Sequence, residues 1–140
     1  MKGIMKVIIV LLIAVTIGLV ACNTSTGTLE NTTWMLESYD EPGNLQAVLE
    51  DTEITAMFDS AKAQVTGSAG LNSYFGSYEV EGNKLSIPGP ICSTMMAGPE
   101  PIMAQENKYL TALQTAESFS IKGDQLQVNY DQQILVFKCK

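Results

Sequence analysis

The side chains that could do chemistry are few. The 140 residues contain no histidine and no arginine, three cysteines (Cys22, Cys92 and Cys139) and fifteen Asp and Glu against eight lysines. Without histidine there is no His-based catalytic triad and no His-containing zinc site. The glycines of Gly67-Ser68-Ala69-Gly70 lack the lysine and following helix of a phosphate-cradling loop. Glu50, Asp51 and Glu53 make an acidic turn whose spacing lacks the regularity of a calcium loop, so it reads as a solvated turn. Glu106 is the one carboxylate placed among apolar residues, between Ile102 and Tyr109. It is either half of a hydrolytic carboxylate pair or, the favoured reading, a structural pin bonded to backbone donors of the Gly70–Gly76 loop. In that loop Leu71, Asn72, Tyr74 and Phe75 form the candidate ligand site. The two aromatics could line a lipid or peptide groove at a barrel mouth; the favoured reading is core packing for both Tyr74 and Phe75, and a turn bonded to its own backbone for Asn72. No residue is assigned as catalytic, no cofactor or metal is expected, and the chain is read as a non-enzyme.

The elements that must position these residues are short. Trp34 and Leu36 share one face of a period-two segment, with Glu37 on the other. Leu45–Leu49 reads as a short strand, and Ile54, Ala56 and Phe58, then Ala63, Val65 and Gly67, continue the inward face. Turn clusters arrive roughly every 8–12 residues, the spacing of an antiparallel sandwich or barrel. Tyr78–Ile87 and Phe119–Val128 repeat one design: aromatic, β-branched residue, Gly-Asn or Gly-Asp, leucine, β-branched residue. Each is a hairpin with a two-residue turn. Between them Pro99 and Pro101 open a helix whose stripe is Ile102, Met103, Tyr109, Leu110 and Leu113. Met95, Met96 and Met103 read as adaptable core filling or, less favoured, a soft contact surface. The final run Gln133–Cys139 is too apolar for an exposed edge. The predicted fold is mainly β with one helix: a small antiparallel barrel-like sheet of about eight short strands, with the helix between the two hairpins.

The N-terminus is a separate matter. Lys2 and Lys6 precede a long apolar run that ends in Leu19-Val20-Ala21-Cys22. This resembles the lipobox of bacterial lipoproteins, which implies a signal peptide over 1–21 and a diacylglycerol on Cys22. Residues 22–31, small and polar, are expected to form a lipidated flexible tether, and 32–140 the folded domain. Asn23, rather than Asp, after the cysteine implies the outer membrane facing the periplasm in a two-membrane host. In a one-membrane host the domain would sit on the outer face of the cell membrane. Lipidation of Cys22 leaves Cys92 and Cys139, which are expected to pair in an oxidising compartment. Loss of the signal leaves six lysines against fifteen acids, a balance that repels nucleic acid and anionic lipid.

Thr33, Trp34 and Leu36, then Gly70-x-Asn72 with Tyr74, Gly76 and Tyr78, then Thr94-Met95-Met96-Ala97, and then Met103, Glu106, Tyr109, Leu110 and Leu113 together resemble the META domain family. That family includes the heat-shock protein HslJ. The resemblance spans Thr33–Phe137 and implies a small β-rich fold around one helix, often in envelope lipoproteins. It implies no catalytic residue. Family members commonly carry cysteine where this chain has Leu71 and Gly98, and their joint absence implies that relatives join these positions by a disulfide. The expected function is a non-catalytic binding or envelope-stress module with a protein, peptide or lipid ligand. The alternatives are an acidic inhibitor of a basic lytic enzyme such as lysozyme, or a pilot-like assembly factor for an outer-membrane component.

Overall fold

The structure, a computed structural model, describes residues 28–140. Cys22, the signal peptide expected before it and most of the expected tether lie outside the described residues. Eleven strands and one helix follow in order: β1 (Thr33–Asp40), β2 (Gln46–Ala47), β3 (Thr55–Asp59), β4 (Gln64–Ser68), β5 (Ser73–Ser77), β6 (Glu79–Glu81), β7 (Lys84–Ser86), β8 (Cys92–Ser93), α1 (Glu100–Gln114), β9 (Ser118–Lys122), β10 (Gln125–Tyr130) and β11 (Gln133–Cys139). They join in one antiparallel sheet ordered β6-β7-β9-β10-β11-β1-β3-β4-β5-β8, with β2 flanking β1. The sheet curls into a half-barrel that stays open between β6 and β8. The fold class is the expected one; the strand number is higher because several strands pair over only two or three residues.

Alternation builds the concave face. Trp34, Leu36, Ile54, Ala56, Phe58, Val65, Leu126, Val128, Leu135 and Phe137 are all buried there, and Tyr109, Ala112 and Leu113 of α1 close over them. The β1 pattern changes phase once. Between Leu36 and Ser38 the pairing with β11 slips by one residue, so the next buried side chain is Tyr39 rather than Ser38. At that bulge the other edge of β1 passes from β3 to β2.

Both repeated hairpins form, with Glu81 opposite Lys84 and Lys122 opposite Gln125. Gly82 (φ 62°) and Gly123 (φ 60°) take the positive φ at the first turn position, the place a type II′ turn reserves for glycine. The two hairpins lie side by side through Lys84 and Ser118. As expected, β11 is interior to the sheet, between β10 and β1.

Four expectations need correction. Leu45–Leu49 pairs only over Gln46–Ala47, and Leu45 and Leu49 remain exposed. Ala63 does not continue the inward face; it sits exposed in the β3–β4 turn at φ 50°. The tether does not reach Asn31. Leu29 is buried and its carbonyl accepts the Trp34 indole N–H at 3.0 Å. Glu30 bridges Phe58 and accepts the Tyr78 hydroxyl at 2.7 Å. Finally, Cys92 and Cys139 do not form a disulfide: Cys92 lies exposed on the edge strand β8, opposite Phe75, whereas Cys139 lies opposite Trp34. Strands β1, β3, β4 and β5 separate them along the sheet, and a disulfide needs Cα atoms within about 7 Å.

Candidate functional site

Helix α1 starts after Pro99, with Pro101 in its first turn and no side-chain cap. Its inward stripe contains two buried polar residues, Gln105 and Glu106, beside Tyr109, Ala112 and Leu113. Burying them has to be offset by donors and acceptors from the sheet and loops.

Glu106 finds three donors. Its Oε2 accepts the backbone N–H groups of Leu71 at 3.0 Å and Asn72 at 2.7 Å, and its Oε1 accepts the Asn72 side-chain amide at 2.6 Å. Bonds to an ionised acceptor are shorter and stronger than neutral ones, which is how one carboxylate seats the helix on the loop after β4. The pin expected from the sequence is therefore present. Asn72 does more than expected. Rather than bonding its own backbone, its Oδ1 accepts from the Thr94 hydroxyl and the Met96 N–H, each at 2.8 Å, and its Nδ2 also donates to the Met96 carbonyl at 3.2 Å. Two donors and two acceptors exhaust a primary amide. Asn72 thus joins three segments, its own loop, the loop at Thr94–Met96 and α1, and keeps no group for a ligand.

Two further glutamines hold the helix. Gln105 accepts the Leu49 N–H at 2.8 Å and donates to Thr52 Oγ1 at 3.1 Å. Gln114 donates to the carbonyls of Ile87 and Gly89 at 2.9 and 2.7 Å and accepts the Ile91 N–H at 3.0 Å. The sequence reading missed both. Gln105 offered the same signal as Glu106, a polar residue inside an apolar stripe; Gln114 offered none, because its partners lie in irregular chain.

Tyr74 and Phe75 part company. Tyr74 points inward and is buried; its hydroxyl donates to the Thr55 carbonyl at 2.8 Å and lies 2.7 Å from the Tyr109 hydroxyl. Burial holds both phenols well above their ordinary pKa. Phe75, one residue on, emerges on the opposite face and is half exposed, so the expected core packing holds for Tyr74 and fails for Phe75. They cannot line one groove. Leu71 is half-buried and fills the space beside Gly98, where a Cβ would sit 2.7 Å from Leu71 Cδ2. The two positions at which the family resemblance implies cysteines are thus neighbours in space, here packed as leucine on glycine.

The methionines are not core filling. Met95 is 95% exposed and Met96 56%, while the half-buried Met103 turns its Sδ to the Gly98 N–H at 3.4 Å. Phe75, opposite Cys92 on β8, is likewise exposed, on the strand next to the sheet's edge. In the acidic turn Glu53 pairs with Lys140. Among the described residues no three Cys, Asp or Glu converge as a metal site would require.

Comparison with known proteins places this geometry. A family model described as the META domain matches residues 19–140. An NMR structure of a protein from Burkholderia xenovorans is 27% identical, with a TM-score of 0.67 over 80% of this chain and 83% of its own. A second NMR structure, at 20% identity, matches with a TM-score of 0.59 over 79% of this chain and 90% of its own. A crystal structure of a DUF4847 family protein from Bacteroides vulgatus matches with a TM-score of 0.56 at 14% identity, over 79% and 93% of the two chains. These last two share the fold alone. No curated protein matches the chain.

Proposed function

The chain belongs to the META domain family, and from that premise we propose that it is a non-catalytic binding module of the cell envelope. It is held by lipid on Cys22 and contacts a protein or peptide partner through the Phe75–Met95–Met96 edge. The observation that carries this reading is the fixed exposure of Met95: 95% open to solvent, yet one residue from Met96, whose N–H and carbonyl are both bonded to Asn72. Large apolar side chains held out by a braced loop, with a half-exposed phenylalanine on the strand paired to β8, form the adaptable contact surface that methionine suits. The polar motif residues support the same division of labour, since Asn72 and Glu106 are occupied in bracing that loop. The test is photo-crosslinking from position 95 in the native envelope. Specific adducts that disappear in Phe75→Glu support the reading; an unlabelled envelope, or adducts that persist unchanged in Phe75→Glu, refutes it.

Charge favours a second reading, an acidic inhibitor of a basic lytic enzyme. Beyond the signal only six lysines face fifteen acids, and three of those lysines are engaged in ion pairs, with Asp59, Asp40 and Glu53. Such a surface would steer a cationic partner with strong salt dependence. Lysozyme activity unaffected by the full chain at low salt removes it. The assembly-factor reading rested on a groove shared by Tyr74 and Phe75, and their opposite orientations leave it without support.

A further inference from the structure

A cleft of about 570 Å³, sharing no lining residue with the Phe75–Met95–Met96 edge, lies between the flank of α1 and the turn that joins β10 to β11. That volume falls within the range of about 300–1,000 Å³ typical of small-molecule sites. Tyr130 forms part of its wall. The residue is only 5% exposed, and its hydroxyl is the single buried side-chain oxygen or nitrogen among the described residues that has no hydrogen-bond partner. A phenol can both donate and accept, and leaving it desolvated and unbonded is costly. Every comparable group elsewhere, including the Tyr74, Tyr78 and Tyr109 hydroxyls, has been given a partner.

The surrounding wall indicates what would satisfy it. Asn107 and Gln133 bring amides, Thr111 a hydroxyl, and Glu117 and Asp131 carboxylates. Lys108, the one cation of the cleft, is bound to Asp40 at 2.6 Å and lies 5.1 Å from the Tyr39 ring centroid, so its charge is already compensated. An anion would meet Glu117 and Asp131 with no uncompensated lining cation to balance it. Interleaved donors and acceptors without uncompensated positive charge match a ligand whose own groups both donate and accept, which is the chemistry of sugar hydroxyls. We infer that this cleft binds a short neutral saccharide, with the Tyr130 hydroxyl as its most buried polar contact.

The experiment titrates the ¹⁵N-labelled full chain, held in sugar-free phosphocholine micelles, with chitotriose, maltotriose and inorganic phosphate. A saccharide is expected to shift the backbone amides of Asn107, Thr111 and Gln133. Tyr130→Phe should weaken that binding about tenfold, the loss of one good hydrogen bond, and Thr111→Arg, at an exposed helical position, should abolish it by filling the cleft. No response to either saccharide up to about 10 mM, a concentration that would reveal even weak sites, overturns the proposal. So does an equal response to phosphate. Tyr130→Phe that raises the melting temperature while saccharide binding stays undiminished also overturns it, because the hydroxyl is then only a tolerated packing defect.

Discussion

Between Asn72 Nδ2 and Glu106 Oε1 there are 2.6 Å, and the direction of that bond decides what the pair tolerates. Asn72→Asp keeps the shape but sets two carboxylates against each other and removes the donor to the Met96 carbonyl. The expected cost at neutral pH is about 3–5 kcal/mol, the range for breaking a buried charged pair. Like charges so close share a proton, so the folded variant holds a carboxyl whose pKa is raised. The deficit should therefore shrink as pH falls and grow as it rises, which urea midpoints at several pH values would reveal. Leu71 and Gly98 support a second prediction. Their contact, with a Gly98 Cβ 3.6 Å from Leu71 Cγ, puts a Leu71→Cys/Gly98→Cys pair within bonding reach. Closing that loop of about 27 residues should stabilise the oxidised chain by about 3.5 kcal/mol, seen as a melting temperature that drops on reduction. At this scale Glu106 was legible because a lone carboxylate in an apolar stripe demands donors. The partners of Asn72 were not, since Thr94 and Met96 reach it through folding that no local spacing encodes. The same blindness paired Cys92 with Cys139: parity of cysteines carries no information about distance.

Elements were readable where their chemistry is local. The two Gly-Asn/Gly-Asp hairpins and the Pro-led helix formed where expected, because turn glycines and prolines act on the backbone at their own positions. The β10–β11 turn escaped notice since Asp131-Gln132 carries no glycine, yet both residues adopt positive φ, 39° and 61°. A left-handed conformation costs a side chain-bearing residue about 1–2 kcal/mol. Gln132→Gly should recover part of that, about 0.5–1 kcal/mol after its greater unfolded-state entropy is counted, and raise the urea midpoint with an unchanged slope. Gly67 behaves in the opposite way. A Cβ there would stand 2.0 Å from the Thr55 carbonyl oxygen, backbone that cannot yield as a side chain would. Gly67→Ala is expected to cost about 2–3 kcal/mol or more, read from the same denaturation curve. The bulge in β1 was hidden for another reason: a period-two pattern that shifts phase at Glu37 looks, residue by residue, like a strand ending.

For the molecule as a whole, strand order was beyond reach of the sequence. Nothing local brings β11 beside β1 or sets β8 at the open edge; those neighbours follow from closing the curled sheet over α1. The tyrosines give a global observable. Burial raises Tyr74, Tyr78 and Tyr109 well above their usual pKa, and burial with Asp40 and Tyr39 nearby brings Tyr130 to about 12. Below pH 10 both states keep these protons and stability is unaffected; above it the unfolded chain releases them and the folded one does not. Stability should fall as pH rises past about 10, by up to ~1.4 kcal/mol per pH unit for each buried phenol still protonated. The phenolate absorbance of these four tyrosines should accordingly appear together with loss of the fold rather than ahead of it. The N-terminal stitch has a mechanical consequence. Because Leu29 is buried and Glu30 is bridged to Phe58, a load on the N-terminus enters the core at Trp34 instead of dissipating in slack chain. With lipid on Cys22, the seven residue steps to Leu29 allow a leash of at most about 25 Å. Leu29 must then stay within that radius of the bilayer, and the exposed edge reaches no farther than the leash plus the width of the folded domain.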